Sequence, residues 1–566
     1  MTPWILLFLL VPAYTLENWP SLSSILTVVQ RSHRDVSKDV PNDQIGTFGV
    51  SLGTQLFARK DYSPDALVDF RNLLNVGTQT LMVDLYWNGA TQIWQLCPAP
   101  YPANTTYTDD TIRLEWKGKT YNCDPSLTMA LMVKSMVSYF GDTNNVLLVN
   151  IINLIINLKE IDFSTSNNGT VASKGDLSKY IPQTGSINTY GNSTLVDTFA
   201  EFGTLAFTPL DQDIFNGLRD DSFYNISGTS TPSVYYLAWL DLNRVAVRIA
   251  GNEVKDNWYS YNITETDKSV IFFPENPNAM MVASVTNETV LNECTTLLNN
   301  MGNIQTSQLV DMATKQHFKF ILDDDTDSFN NDSYTRFISC GYSPILNAKE
   351  YSISNFTTGE DVRSQDLGAI INNFLARTFL LTELTDVDDE ESMKAATRCV
   401  VFVSDLLSKV ANCYNQYPYA CQNISNPVDW FIGDDEREYF DAYSDACPEG
   451  YQFSVPHLLV ELISMRNEIH KKNISYPVWV DINDITVNLC FVSGGPYANC
   501  PYQETVSKQK LVGLIAPSFV VGAVILVLMF LERFFRTNPI QTRRKTYWRR
   551  RVLEFNKLHE YEGVPS

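Results

Sequence analysis

The first residues of this sequence that could do chemistry form a serine motif, Gly49-Val50-Ser51-Leu52-Gly53. The pattern Gly-x-Ser-x-Gly is typical of a nucleophile elbow, which needs a strand before it, a helix after it and a histidine to activate the serine. Too little chain precedes the motif for the strands of a hydrolase, and residues 54–60 do not indicate a helix start. We therefore expect a strand that ends in a glycine turn.

Histidine is the usual general base near neutral pH, and the chain contains five. No two of them have the spacing of a metal-ligand pair. We expect surface or capping roles for all five: His33, His317, His457, His470 and His559.

Alternating carboxylates at Asp323, Asp325 and Asp327 are typical of the start of a calcium loop. An EF-hand requires glycine at the sixth position and glutamate at the twelfth, where this chain has Ser328 and Tyr334. The pattern favours an acidic surface loop. Since the chain also lacks a phosphate-binding glycine loop and a CxxC pair, we predict neither a metal nor a cofactor.

Helix and strand signals alternate along the first two thirds of the chain. Apolar residues at helical spacing follow Ser63-Pro64 and end at Gly77, and a second amphipathic helix is predicted from Ser126 to Phe140. The predicted elements also include a helix over 194–202 and strands over 80–85, 146–152 and 244–250. Strand–helix alternation predicts a parallel sheet, and enough units close into an α/β barrel.

These elements resemble the phosphatidylinositol-specific phospholipase C-like (β/α) barrel over residues 45–380. Leu73 to Gly77 before Met82-Val83-Asp84-Leu85, Thr194 to Pro209, and Pro232 to Val247 carry the likeness. That family ends its first strand in Gly-Thr-His, whereas this chain reads Gly53-Thr54-Gln55. Glutamine cannot exchange a proton near neutral pH, so the resemblance implies a barrel mouth with a vestigial site at Gln55 and Asp84.

Cysteines become dense after an acidic linker at 385–391, which divides a predicted barrel domain (16–385) from a cysteine-rich module (395–505). Cys399, Cys413, Cys421 and the stretch from Cys447 to Tyr451 resemble pieces of C-type lectin-like domains; an unrelated small disulfide domain is the alternative. The even number of cysteines, all before residue 511, predicts disulfides without fixing their pairing. They are Cys97, Cys123, Cys294, Cys340, Cys399, Cys413, Cys421, Cys447, Cys490 and Cys500.

Three segments predict a membrane protein with one span. Residues 1–15 have the short apolar core of a signal peptide. Residues 511–531 are uncharged and long enough to cross a bilayer at about 1.5 Å per residue. The tail, 532–566, holds nine Lys or Arg against four acids, which predicts a cytoplasmic tail and a luminal or extracellular remainder. We expect the bilayer as a partner.

Ten Asn-x-Ser/Thr sequons precede the span, which in an exported chain predicts a glycoprotein. The net charge of −22 argues against direct binding to nucleic acid. The acceptor residues are Asn104, Asn168, Asn192, Asn225, Asn262, Asn287, Asn331, Asn355, Asn423 and Asn473.

The string from Cys490 to Tyr502, together with Trp479 to Asn483, resembles a fungal family, maintenance of telomere capping protein 6. Ser339 to Ile345, Val410 to Tyr414 and Glu562 to Ser566 fit the same pattern. The resemblance implies a part in telomere capping and supplies no catalytic residue. Since most of the chain is predicted to be luminal, that part would be indirect.

Three functional hypotheses follow. The favoured one is a type I membrane glycoprotein with a degenerate, non-catalytic barrel that binds a lipid, a glycan or a protein in the lumen. The second is a luminal phosphodiesterase or glycan hydrolase, which would need two further acids that converge with Asp84. The third is docking through the basic tail.

Overall fold

The computed structural model describes residues 24–105, 110–163, 178–181, 190–218, 231–250, 261–274, 280–315, 317–323, 331–347, 398–405, 407–502 and 508–558. Two compact units, Met1–Tyr502 and Gln503–Ser566, divide the chain. The predicted signal peptide and the acidic linker at 385–391 lie outside the described residues.

The first unit contains a parallel sheet of eight strands in the order β7-β8-β6-β2-β1-β11-β10-β9. Among the described residues β7 and β9 form its edges, so the sheet is a partial TIM-like barrel. Strand β3 pairs with β2 in antiparallel fashion, and β4 with β5 forms a separate hairpin. The strands are β1 Gly49–Ser51, β2 Thr80–Asn88, β3 Ile93–Gln95, β4 Ile112–Trp116, β5 Lys119–Cys123, β6 Ile152–Glu160, β7 Ala206–Phe207, β8 Val245–Ile249, β9 Met281–Ser284, β10 Lys319–Leu322 and β11 Ser343–Leu346.

Helices connect these strands, as the alternating sequence pattern predicts. Threonine caps start three of them: the hydroxyls of Thr128, Thr194 and Thr264 each accept a backbone N–H of the first turn. The helices are α1 Ser24–Val36, α2 Ala66–Asn75, α3 Met129–Asp142, α4 Leu195–Phe199, α5 Pro209–Leu218, α6 Glu265–Val270, α7 Glu288–Asn299, α8 Thr306–Lys315 and α9 Asn331–Ser339, with 3₁₀ turns at Asn42–Gln44 and Ala200–Leu205, π-helical turns at Gly53–Phe57 and Tyr236–Leu240, and a single α-helical turn at Ala58–Lys60.

One strand prediction was wrong in its bounds. The apolar run that begins at Val146 was expected to be a strand over 146–152, but β6 begins only at Ile152. Residues 146–148 form an exposed turn instead, because the side chain of Asn145 accepts the N–H groups of Leu147 and Leu148. The guanidinium of Arg34 also donates a hydrogen bond to the carbonyl of Val149. That carbonyl oxygen therefore does not pair with a neighbouring strand.

The interior of the barrel is apolar in its middle layer. Met82, Ile155, Phe320 and Ile345 pack together there. Arg248 of β8 is also buried at this level, with its guanidinium carbon 4.3 Å from the ring centroid of Phe272 and 3.9 Å from that of Phe318. Among the described residues its Nε and Nη1 atoms have no hydrogen-bond acceptor.

A second, mostly antiparallel sheet follows in the order β13-β12-β17-β14-β15, with β16 paired to β14. Side chains of both sheets join one hydrophobic core, where Val400 and Phe402 of the second sheet lie with Leu81 and Leu154 of the first. The elements are β12 Arg398–Ser404, β13 Leu407–Asn412, β14 Tyr417–Asn423, β15 Trp430–Arg437, α10 Tyr439–Ser444, β16 Tyr451–Phe453, α11 Leu459–Lys472 and β17 Val478–Asn483.

All ten cysteines form disulfides, as their even number predicts. Each cysteine pairs with the next one along the chain, so every bond closes a local loop and contributes typically about 2–4 kcal/mol. The pairs are Cys97–Cys123, Cys294–Cys340, Cys399–Cys413, Cys421–Cys447 and Cys490–Cys500.

The second unit contains one long helix, α12 Lys508–Leu558. Its window Pro517–Phe534 is long and apolar enough to cross a membrane, by length and composition. The predicted span 511–531 lies within this helix, and the helix continues well into the segment predicted as a basic tail. His559 lies outside the described residues.

Candidate functional site

The carboxyl-terminal edge of the parallel sheet brings polar residues of β2 and β6 onto one face. In the register of these strands Asp84 lies opposite Asn157, and Tyr86 lies opposite Lys159. Because side chains alternate along a strand, all four share the face on which Met82 and Ile155 line the barrel interior. The four residues form the mouth cluster.

Asp84 is the centre of the mouth cluster. Its Oδ1 accepts a hydrogen bond from Nδ2 of Asn157 at 2.8 Å, and its Oδ2 lies 2.7 Å from Nζ of Lys159. The hydroxyl of Tyr86 also donates to Oδ2, at 3.4 Å. Burial and the neighbouring Asp84 carboxylate raise the pKa of Tyr86, so this phenol stays protonated. The cluster thus pairs a carboxyl group with a lysine side chain.

Gly53, two residues after the end of β1, lies close to the carboxylate of Asp84. A Cβ atom placed on Gly53 would lie 3.7 Å from Oδ2 of Asp84. The π-helical turn Gly53–Phe57 then carries Gln55, which is fully buried and whose Oε1 lies 3.5 Å from Nη2 of Arg59. The two residues predicted at the mouth, Gln55 and Asp84, therefore lie at the same edge of the sheet. The π-helical turn after Gly53 was not expected from the sequence.

A disulfide-bonded segment adjoins the mouth cluster. We define the cap as residues 93–105 and 110–123, which contain β3, the β4–β5 hairpin and the disulfide Cys97–Cys123. The N–H of Tyr62 donates to the carbonyl of Asn122 at the end of this hairpin. Burial, then Asp84 and then Tyr121 of the cap raise the pKa of Tyr62, so Tyr62 lies near both the carboxylate and the cap. Beside the cap, the side chains of Asp84 and Lys159 remain 27% and 41% exposed.

The described histidines contact groups elsewhere in the fold. His33 bonds the carbonyl of Gly46, His317 lies 2.6 Å from Asp43, His457 bonds Glu461 and His470 bonds Asp405. The expected surface or capping role is wrong for His33, which is buried in α1 because that helix packs on the barrel core. Burial lowers the pKa of His33 to about 4.

The acidic segment after β10 starts inside the protein. Asp323 was expected on a surface loop, but it is completely buried and its N–H donates to the carbonyl of Ile345. It is the residue after β10, which explains its burial. Asp325 and Asp327 lie outside the described residues, and in the part of the chain that is described no three His, Cys, Asp or Glu side chains converge as metal ligands.

Three members of the mouth cluster were missed in the sequence: Tyr86, Asn157 and Lys159. A signal for two of them exists, because Asn153, Asn157 and Lys159 recur at even spacing within an otherwise apolar run. Placing the strand at 146–152 left Asn157 and Lys159 outside it. The polar residues at alternate positions mark the face that points into the barrel only when the strand is placed at 152–160.

Six of the predicted glycosylation acceptors have described side chains. Asn104, Asn262, Asn287 and Asn473 are exposed, whereas Asn192 and Asn423 are half-buried. Nδ2 of Asn423 donates to Asp429 at 3.0 Å. Asn331 begins α9. Asn168, Asn225 and Asn355 lie outside the described residues.

Comparison with known proteins gives similarity along nearly the whole chain. The family model described as MTC6 partial TIM-barrel domain matches residues 20–366. A maintenance of telomere capping protein 6 from Debaryomyces hansenii is 38% identical over 98% of this chain and 97% of its own. The protein of the same name from Komagataella phaffii is 30% identical over 99% of both chains.

One solved structure that matches part of this chain is a calcium-dependent phosphoinositol-specific phospholipase C from Pseudomonas sp. It is 13% identical, with a TM-score of 0.31, and the match covers 55% of this chain and 92% of that one.

Proposed function

Because the chain belongs to the maintenance of telomere capping protein 6 family, we propose that it is a single-pass type I membrane glycoprotein whose barrel is non-catalytic and whose part in telomere capping is indirect. The observation that carries the non-catalytic assignment is the pairing of Asp84. Its carboxylate is bound by Lys159 and Asn157, and the turn after β1 carries Gln55 where a proton-transferring histidine would be needed.

Charge supports an indirect role. The net charge of −22 repels phosphates, and the basic residues beyond residue 531 make the remainder of the chain still more acidic. A luminal first unit would also be separated from the nucleus by a membrane. We propose that this unit binds a lipid, glycan or protein ligand in the lumen. A lectin-like role for the second sheet is part of the proposal and rests on the sequence likeness.

Five disulfides, the apolar helix window Pro517–Phe534 and the exposed sequons support the membrane topology. The test is protease protection of intact microsomes combined with endoglycosidase digestion. We expect the first unit to be protected and glycosylated and an epitope after Ser566 to be cleaved. Replacement of the exposed acceptors Asn104, Asn262, Asn287 and Asn473 by Gln should lower the glycan mass. A first unit that is digested from outside without detergent would contradict the topology.

The non-catalytic assignment is tested by complementation in a yeast strain that lacks this protein. We expect the Asp84→Asn variant to restore telomere capping as well as the wild-type chain at equal abundance. A variant that truncates the tail after residue 540 tests docking through the tail in the same assay. Loss of capping by Asp84→Asn at normal abundance would instead favour a luminal hydrolase that acts through this carboxylate.

A further inference from the structure

A cavity of about 130 Å³ lies at the amino-terminal ends of β2 and β6, away from the mouth cluster at their carboxyl ends. We propose that this cavity binds a small organic carboxylate with a short apolar chain. The inference goes beyond the proposed function, because it depends neither on the mouth cluster nor on the membrane topology. We name the site the basal cavity, and its lining includes Arg31, Arg34, Leu74, Gln79, Leu147 and Leu148.

The basal cavity is preformed. Leu147 and Leu148 are 47% and 49% exposed, so they lie where the cavity meets solvent. Their turn is fixed, because Arg34 donates to the carbonyls of Val149 and Val146 at 2.6 and 3.0 Å. A cavity needs roughly 10–15 Å³ to hold one water molecule, so this one admits a ligand of several non-hydrogen atoms. Small-molecule sites are usually concave and formed in advance in this way.

Positive charge collects at the basal cavity, although the whole chain has a net charge of −22. Arg31 and Arg34 line the cavity, and no carboxylate is among the described residues that line it. Burial lowers the pKa of Arg244, Tyr139 raises it and Arg34 lowers it further, so a third guanidinium adjoins the pair. Beside these three arginines, the described part of the chain supplies the single carboxylate of Asp35. The excess of positive charge attracts an anion.

Asp35 and Arg34 satisfy each other. Oδ1 of Asp35 accepts hydrogen bonds from Nε and Nη2 of Arg34 at 3.0 and 2.8 Å, and Oδ2 accepts the hydroxyl of Tyr502. Arg34 gives its other donors to backbone carbonyls and to the oxygen of Tyr502. Arg34 therefore contributes charge to the cavity and holds its wall, but it keeps few donors for a ligand.

Arg31 has donors that the protein does not use. Its Nη2 donates to the carbonyl of Leu489 at 3.1 Å, and its guanidinium carbon lies 4.7 Å from the ring centroid of Tyr502. That is its one hydrogen bond to the described residues, so most of its N–H groups remain for a ligand. Burial lowers the pKa of Arg31, Asp35 raises it and Arg34 lowers it, and a bound anion would offset the cost of burial. A planar guanidinium matches a carboxylate through two parallel hydrogen bonds.

The apolar lining decides the kind of anion. Leu74, Leu147, Leu148 and Val149 give the basal cavity a hydrocarbon wall. An inorganic anion would leave this wall without an apolar partner, whereas a short hydrocarbon chain is stabilised there by its removal from water. A carboxylate at Arg31 with its chain against the leucines uses both parts of the lining.

Gln79 adds a polar atom that the described residues leave unsatisfied. Oδ1 of Asn150 accepts the N–H of Ile151 at 2.9 Å, which fixes the amide of Asn150 and turns Nε2 of Gln79 toward the same oxygen, at 3.2 Å. Oε1 of Gln79 is then buried without a donor among the described residues. A buried acceptor is normally satisfied by ordered water or by a ligand. The polar part of the wall therefore also indicates a site for an occupant.

Calorimetric titration of the full-length protein in phosphatidylcholine nanodiscs tests the proposal, with hexanoate as the probe. Sulfate and hexylamine are the comparison ligands, since sulfate has negative charge without a chain and hexylamine has the chain with a positive charge. We expect the Kd of hexanoate to be at least about tenfold lower than that of either. Titration into nanodiscs without protein gives the heat of partition into lipid, which is subtracted.

Two cavity variants and one matched control follow the same titration. Arg31→Gln should raise the Kd of hexanoate about tenfold, because it removes a charged donor pair. Leu148→Asp, which places a negative charge at the open side of the cavity, should also weaken binding. The control Arg71→Gln removes the same charge from α2, where Arg71 pairs with Asp142 outside the cavity, and should bind hexanoate as the wild-type protein does.

Loss of affinity in Arg31→Gln and Leu148→Asp but not in Arg71→Gln, with unchanged melting midpoints of the unliganded proteins, supports a carboxylate in the basal cavity. Failure of the wild-type protein to bind hexanoate overturns the proposal. Equal affinity for sulfate overturns the organic class of the ligand, because the apolar wall would then contribute nothing. Equal weakening by Arg31→Gln and Arg71→Gln overturns the site, because hexanoate would then respond to total charge rather than to this arginine.

Discussion

The Nζ atom of Lys159 lies 2.7 Å from Oδ2 of Asp84, on neighbouring parallel strands. This pair is at the end of the barrel where folds of this type keep their sites. Both side chains are partly shielded from water. We expect a double-mutant cycle with Asp84→Asn and Lys159→Met to give a coupling free energy of about 1 kcal/mol in chemical unfolding.

The more exposed pair Lys117 and Asp162 is the control for this cycle. It should give a coupling free energy of less than about 0.5 kcal/mol. Equal coupling free energies in the two pairs would contradict a stronger ion pair between Asp84 and Lys159 in the mouth cluster.

Two buried arginines near β8 should respond in opposite ways to removal of their charge. Arg244 donates to the carbonyls of Asn150 and Phe140 and to the hydroxyl of Thr143. Loss of these bonds in Arg244→Met should cost about 2–4 kcal/mol of unfolding free energy.

Burial lowers the pKa of Arg248 to about 9, and two of its nitrogen atoms have no acceptor in the described part of the chain. Arg248→Met should therefore be neutral or stabilising, since a well-packed apolar side chain often replaces a poorly compensated buried charge without loss.

The two arginine variants are compared by thermal unfolding of the full-length protein in detergent. A loss of stability in Arg248→Met as large as in Arg244→Met would show that the rings of Phe272 and Phe318 compensate the buried guanidinium fully.

His33 makes stability depend on pH. Its pKa is about 4 in the folded protein and near 6.5 when unfolded, so the unfolded chain binds the extra proton between these values. The contribution of His33 is then fully present above pH 6.5 and is lost as the pH falls toward 4, by up to about 3 kcal/mol. We expect His33→Gln to reduce the loss of stability over this range, measured as the variant-minus-wild-type difference in unfolding free energy. Above pH 7 the difference should not change with pH.

Asp481 fixes the turn that carries the family-like string near Cys490. It accepts hydrogen bonds from the hydroxyl of Tyr439 at 2.7 Å and from the N–H groups of Gly494 and Gly495 at 2.8 and 3.0 Å, and it is buried. Asp481→Asn replaces one carboxylate oxygen, a hydrogen-bond acceptor, by an amide NH₂ group, which would face the donor groups of Tyr439, Gly494 or Gly495. We expect a loss of about 2–4 kcal/mol and retention of the variant in the endoplasmic reticulum.

The exposed Asp445→Asn is the control for Asp481 and should behave as wild type. Export is measured by cell fractionation, and stability by the melting midpoint. Normal export and an unchanged midpoint for Asp481→Asn would contradict the role assigned here.

Much of the fold follows from patterns that act over a few residues. The apolar run of Thr80 to Leu85, the threonine cap at Thr194 and the uncharged stretch after Leu511 identify a strand, a helix start and a long apolar helix, because each depends on local geometry and burial. The even cysteine count predicted disulfides in the same way. The sequence alone also shows glutamine at position 55, where the resembled family has histidine. Because glutamine cannot transfer a proton near neutral pH, no tertiary packing can give it that role.

The tertiary structure decided what depends on partners distant in sequence. Val146 to Leu148 look like a strand until Arg34, more than a hundred residues earlier, binds the backbone of the same turn. Lys159 has no evident role until the register of β6 places it beside Asp84, and Tyr502 has none until its hydroxyl contacts Arg34 and Asp35. A sequence pattern records which side chains prefer burial, whereas charge pairing and strand register are settled only when distant segments compete for the same contacts.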